Sequence, residues 1–182
     1  MSRRVLVAYA SKMGATAEIA EGMGAEIRQH GHLVDVLDVR QVRSITKYDA
    51  VVLGSAIYTR RWRSEAVHFL RKYADALRTR QVWLFHSGPV GPHADQPQAM
   101  PKNVLRLAER VGATPAVTFP GRLELETAKG FLARRMAVTE LGGDVRDWDL
   151  VGAWANDVAE AISSVEISSW PRLEPHLEEI PR

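Results

Sequence analysis

The sequence contains no cysteine, which excludes disulfides, a thiol nucleophile and any cysteine-ligated metal. It has no run of residues long and apolar enough to span a bilayer. Its charge is nearly balanced, with a formal net charge of +2. No continuous basic stripe interleaved with aromatics is present and no nucleic-acid module, which argues against a nucleic-acid partner. No pair of carboxylates and no His/Asp/Glu cluster has ligand spacing, so a metal site has no support. The two common nucleotide fingerprints, G-x-G-x-x-G and G-x-x-x-x-G-K-[ST], are missing as well.

What is present fits one domain, because 182 residues with 46% hydrophobic content support a single core of ordinary size. The chain enters a strand within a few residues of its start, leaving no room for a signal segment, which predicts a cytoplasmic protein. Apolar runs at Val5 to Ala10, Leu33 to Leu37, Ala50 to Ser55, Val82 to Ser87 and Ala116 to Phe119 read as five buried strands. Helical patterns fill the gaps at Ala15 to His30, Ser64 to Leu77, Asn103 to Val111 and Asp147 to Val165. The last of these carries Trp148, Val151, Trp154, Val158 and Ile162 at core-facing spacing. Buried strands alternating with helices predict an α/β fold with a parallel sheet covered on both faces. The domain is expected to occupy residues 1–167. Residues 168–182, with three prolines and scattered charges, read as a loosely docked or disordered tail.

The first strand runs straight into Ser11-Lys12-Met13-Gly14-Ala15-Thr16 and then into a helix. Free backbone N–H groups and the positive end of the helix dipole therefore meet at one point, which makes an anion site. Ser11 and Thr16 can donate to phosphate oxygens, Gly14 lets backbone come close, and Lys12 adds charge or is simply solvated. Such a turn suits a phosphomonoester such as that of FMN. The competing reading is a plain βα turn in which Ser11 or Thr16 only caps the helix.

In a doubly wound sheet the ligand lies beyond the carboxyl ends of the strands, so the loops after the first, third and fourth strands should converge. The third strand leads into Ser55, Ala56, Ile57, Tyr58 and onward to Trp62, and the fourth into Ser87, Gly88, Pro89, Val90, Gly91, Pro92, His93, Ala94 and Asp95. Two aromatics in one loop and a Gly/Pro-rich turn in the other suit a flat ring, which wants π-faces for stacking and backbone groups along its polar edge.

These segments resemble the flavodoxin-like family from Val5 to about Ile162. The resemblance implies a three-layer, doubly wound, five-stranded parallel sheet with strand order 2-1-3-4-5. It implies that Ser11 to Thr16 hold the FMN phosphate and that Ser55 to Trp62 and Ser87 to Asp95 flank the isoalloxazine. The turn departs from the family pattern at Met13, where a hydroxylated residue is common, and at Ala15, where Asn is common, so its side-chain donors are fewer. Within the family, Gly54 to Tyr58, the loop through Trp62 and the segment Gly142 to Trp148 look most like menaquinone-dependent protoporphyrinogen IX dehydrogenases. Those proteins carry an extra segment near the last strand, and residues 121–142, helix-prone over Lys129 to Met136, occupy that place here. The implied activity is an FMN-dependent oxidoreductase passing electrons from an organic donor to a quinone-type acceptor. Its alternatives are an electron-transfer flavodoxin and a flavin-free interaction domain of the same fold.

Flavodoxins that act as shuttles resemble one another in being strongly acidic, and this chain is not. Arg60, Arg61 and Arg63 are expected on the rim of the flavin loop, where they either attract substrate carboxylates or an anionic membrane surface holding quinone, or merely solvate the loop. Further basic groups stand at Arg71-Lys72, Arg78 with Arg80, and Arg134-Arg135. Tyr58 and Trp62 are the candidates to cover the flavin. His93 is placed to donate to its carbonyl edge or to be solvated, whereas His86 reads as a hydrogen-bonded core or rim residue and His68 as structural. Asp147 reads as a helix cap rather than a catalyst. No side chain is needed as a covalent catalyst, because the flavin carries the redox chemistry.

Overall fold

The computed structural model describes residues 1–88, 90, 91, 94, 96–139 and 142–164, except for the side chain of residue 132. Along the chain lie β1 (Arg4–Ala10), α1 (Ala15–Gln29), β2 (Leu33–Asp38), β3 (Ala50–Tyr58), β4 (Arg61–Trp62), α2 (Ser64–Lys72) and α3 (Ala74–Leu77). They are followed by β5 (Gln81–Ser87), α4 (Lys102–Val111), β6 (Val117–Phe119), β7 (Arg122–Leu123), α5 (Phe131–Ala137), β8 (Gly143–Asp144) and α6 (Trp148–Ser164). No helix among the described residues is long and apolar enough to cross a membrane. The tail expected at 168–182 lies outside the described residues.

Five of these strands pair in parallel in the order β2-β1-β3-β5-β6. Counted among themselves this is the expected order 2-1-3-4-5. The two-residue period of a strand explains why their sequences are almost continuously apolar. Leu6, Ala8, Val51, Leu53, Val82 and Leu84 face one core, shared with Phe69 and Leu70 of α2, Leu77 of α3 and Val104 of α4. Val5, Val7, Val52, Trp83 and Phe85 face the other, shared with Ile19 and Met23 of α1 and Val158 and Ile162 of α6. Each large side chain so buried contributes roughly 1.5 to 3 kcal/mol.

Two elements differ from the sequence pattern. The expected helix Ser64 to Leu77 is divided at Tyr73, whose backbone moves to φ −106°, ψ 14°. Its hydroxyl donates to the carbonyl of Val42 at 3.0 Å and its ring lies against Phe69, so a tertiary anchor overrides helical continuity. The third strand also continues through Ala56, Ile57 and Tyr58 instead of ending at Ser55, because Arg61 and Trp62 fold back antiparallel on Tyr58 and Ile57. The hairpin between them places Thr59 and Arg60 at φ 47° and 59°. Such a two-residue turn suits Gly or Asn, and a β-branched or long side chain there carries strain. Arg60→Gly is therefore expected to stabilise the protein by about 0.5 to 1 kcal/mol, read from urea unfolding. An unchanged or lower midpoint would contradict a strained hairpin.

The segment after β6 builds a small unit. β7 pairs antiparallel with β8, and α5 lies between them over Phe131–Ala137, close to the helix-prone stretch expected at Lys129 to Met136. Leu123 of β7 and Ala128 pack on Met13, with Tyr58, Val90 and Met136 against them.

Candidate functional site

β1, β3 and β5 end on the same edge of the sheet, and the chain leaving each contributes to a cavity of about 580 Å³, in the range of cofactor pockets. The first connection supplies Ser11, Lys12, Met13, Ala15 and Thr16, the end of β3 and its hairpin supply Ala56, Ile57, Tyr58 and Thr59, and the end of β5 supplies Ser87, Gly88 and Val90. The fourth wall comes from the segment after β6, chiefly Gly121, Arg122, Leu123, Lys129, Phe131 and Met136.

Gly14 stands at the start of α1 with φ 97°, a conformation open to glycine, and no side chain caps the helix. Ser11 Oγ accepts the Gly14 N–H at 3.0 Å, which closes the turn. The N–H groups of the first helical turn, at Ala15, Thr16 and Ala17, are thereby left without a side-chain cap, the arrangement that suits an anion. The capping role considered for Ser11 and Thr16 is not taken up. Thr16 instead shares a hydrogen bond of 2.8 Å with Ser87 Oγ, joining the first connection to the end of β5. Two hydroxyls thus meet on the cavity wall, and one of their protons remains free to serve a ligand.

Tyr58 lies half-buried, with Lys12 Nζ 5.2 Å above its ring. Burial pushes its phenol above the ordinary value, with Arg63 pulling weakly the other way. Gly88, at φ 153°, is pressed so closely on β3 that an added Cβ would stand 2.6 Å from the carbonyl oxygen of Ile57, and Gly121 presses on Gly88 in turn. The three loops are held together by backbone contact that only glycine allows. Among the described residues the formally charged side chains lining the cavity are cations, Lys12, Arg122 and Lys129, with no carboxylate. Neither lysine is paired with a carboxylate among the described residues. The arrangement can hold an anion at the α1 end and a flat apolar ring beside Tyr58.

Other expected site residues lie elsewhere. Ser55 is fully buried in β3, where its hydroxyl accepts the Arg63 N–H at 3.0 Å and donates to the Ala56 carbonyl at 2.9 Å. Trp62 is buried in the core beside α2 and does not line the cavity. Its indole N–H donates to His86 Nδ1 at 3.1 Å, which leaves the proton on Nε2 to be donated to Thr118 Oγ1 at 2.8 Å. His86 is thus a buried hydrogen-bonded residue, as its position in an apolar run suggested. Gly91, at φ 79°, accepts the Ala94 N–H through its carbonyl and is not among the lining residues. Pro89, His93 and Asp95 lie outside the described residues. Asp147 caps α6, accepting the Leu150 N–H at 2.9 Å.

The fourth wall was not among the expected site residues. Its one legible signal was the helix-prone stretch Lys129 to Met136.

A doubly wound sheet with a phosphate-type turn after β1 and a cavity across β1, β3 and β5 defines a mononucleotide-binding α/β protein. More particularly, the chain belongs to the flavodoxin domain family, whose model matches residues 6–137. The cofactor of that family is FMN. Among solved structures, a flavodoxin from the domain Archaea superposes with a TM-score of 0.62 at 15% identity, over 88% of this chain and 99% of its own. Flavodoxin 1 from Bacillus cereus gives a TM-score of 0.57 at 16% identity, over 90% and 99%. The Flv1 flavodiiron core from Synechocystis sp. PCC6803 gives 0.64 at 15% identity, over 91% of this chain but only 37% of that protein. At these identities the likeness is one of fold. No curated protein matches the sequence.

The residues present suit FMN. The cavity has cofactor size, its α1 end offers uncapped N–H groups and hydroxyls, and among the described residues its charged lining is cationic.

Proposed function

We propose that this protein is an FMN-dependent oxidoreductase that passes electrons from an organic donor to a quinone-type acceptor. In this reading the turn Ser11 to Thr16 holds the phosphate, while Ala56, Ile57, Tyr58, Gly88 and Val90 flank the ring. FMN supplies the two-electron chemistry when bound, and the protein supplies orientation, exclusion of water and local charge. The donor loses two electrons and two protons, and the quinone takes up the same number to become a quinol.

The observation that carries an enzyme over a simple shuttle is the fourth wall. Leu123, Phe131 and Met136 give the cavity an apolar side beyond the turn and strand ends, where a small organic molecule can lie against the ring. Arg60 and Arg61 are exposed on the hairpin next to the cavity residue Thr59, where they favour a donor bearing carboxylates or peripheral contact with an anionic, quinone-bearing membrane surface. The resemblance to protoporphyrinogen dehydrogenases makes a porphyrinogen the first donor to try. The second reading, an electron-transfer flavodoxin, draws on the archaeal flavodoxin matched over 99% of its length.

The test is turnover of FMN-loaded protein with a porphyrinogen and a soluble quinone in the absence of any second protein. Quinone-dependent oxidation of the donor is the expected result. Reduction only through a partner reductase, with no small-molecule turnover, would favour the shuttle. Failure to bind flavin at all would remove both readings.

A further inference from the structure

The phosphate-type turn is poor in side-chain donors, since positions 13 and 15 are Met and Ala and Thr16 Oγ1 shares one hydrogen bond with Ser87, which leaves the Ser11 hydroxyl and one proton of the Thr16–Ser87 pair. A guanidinium from outside the turn stands beside it. A Cβ added to Gly14 would meet Arg122 Nη2 at 3.5 Å, and Arg122 also lines the cavity. Its orientation is fixed from behind. Nη1 and Nη2 donate to the two oxygens of Glu18 at 3.0 and 2.6 Å, and Arg146 donates to Glu18 at 2.7 Å while holding Asp144 at 2.5 Å. The Arg146 bond foremost, then that of Arg122, holds the Glu18 carboxyl below the usual carboxylate range. The two guanidiniums here face three carboxylates, Glu18, Asp144 and Glu124. Glu124 approaches Arg122 Nε at 3.4 Å, without hydrogen-bond geometry, so Nε is buried with no hydrogen-bond partner.

Resting on the FMN reading above, we infer that Arg122 is the residue through which this site selects a phosphorylated flavin over riboflavin. Two of its five N–H bonds are spent on Glu18, which leaves donors on a plane already held in place. A phosphate at the N-terminus of α1 meets Arg122 on one side and the first-turn N–H groups on the other. Charge-assisted bonds of this kind are stronger than neutral ones, and they compensate for the hydroxyl and amide groups absent at Met13 and Ala15. Because Arg122 belongs to the segment after β6, that segment contributes to phosphate binding as well as to the apolar wall.

The experiment is a pair of fluorescence titrations, FMN and riboflavin, against the wild-type protein and against Arg122→Gln and Arg122→Lys, with thermal melting to check folding. In wild type, FMN is expected to bind more tightly than riboflavin. Arg122→Gln is expected to weaken FMN by 10- to 100-fold and leave riboflavin within about twofold, with Arg122→Lys between, because it keeps the charge but loses the fork. Equal weakening of both flavins, or no change in either, would overturn the inference and leave Arg122 as a clamp on α1. If Arg122→Gln does not fold, Arg122→Lys decides alone by its FMN-to-riboflavin ratio. Wild-type protein that ignores both flavins would instead refute the FMN reading, and this inference with it.

Discussion

Gly54→Ala is expected to destabilise the protein by about 3 kcal/mol, the upper end for overpacking a core, and to lower Tm by roughly 10 °C. Gly54 sits in the middle of β3, in register with Phe85 of β5. The Phe85 ring lies across it so closely that a Cβ would stand 2.0, 2.4 and 2.6 Å from three ring atoms. The ring cannot simply turn aside, because it is fully buried against Phe119 and Trp154 at centroid distances of 5.9 and 6.1 Å. Combining Gly54→Ala with Phe85→Leu should recover part of the loss, giving a coupling energy clearly different from zero in a double-mutant cycle. Additive losses would mean that the ring over Gly54 is not the cause.

Acid should weaken the fold by about 3 kcal/mol between pH 6.5 and pH 4 through His86 alone. Burial holds its imidazole near pKa 4 instead of 6.5, with a backbone hydrogen bond at Gln98 opposing weakly. The geometry explains the direction. A second ring proton would go on Nδ1, where the Trp62 indole N–H already points, so the charged form would bring two donors together. Between these pH values the unfolded chain binds a proton that the native chain refuses, so stability is complete above pH 6.5 and falls as the pH falls towards 4. Urea unfolding at pH 7 and pH 5 should show a loss of about 2 kcal/mol in wild type, and His86→Gln should remove that part of the pH dependence. An identical pH dependence in both proteins would disprove the assignment.

The parallel sheet and the convergence of three loops were legible because they follow from local signals, whereas the strand order was implied by the family resemblance. A strand buried on both faces is apolar throughout, a strand that meets a helix in small residues marks an anion turn, and a parallel sheet places all such turns on one edge. Thr16 and Ser87, 71 positions apart, were both named from their places at strand ends, and the fold joins their hydroxyls. Trp62 shows where local reasoning stopped. Its residue type and loop position fit a stacking role equally well, and the choice was made by the hairpin at Thr59 and Arg60, which turns the indole inward to His86.

The segment after β6 marks the same boundary more sharply. Neither the Gly-Arg pair at 121 and 122 nor Phe131 carries a periodic signature, and Glu18, 104 positions before Arg122, gives no hint of its partner. What the chain determined by itself was therefore the class of fold and the sheet edge on which the cavity opens, both of which depend on near-neighbour pattern and on the shared direction of parallel strands. What only the tertiary structure decided was which aromatic faces the cavity, which segment closes it and which guanidinium stands beside Gly14. Those depend on close contacts between residues far apart in sequence, which leave no local periodicity to read.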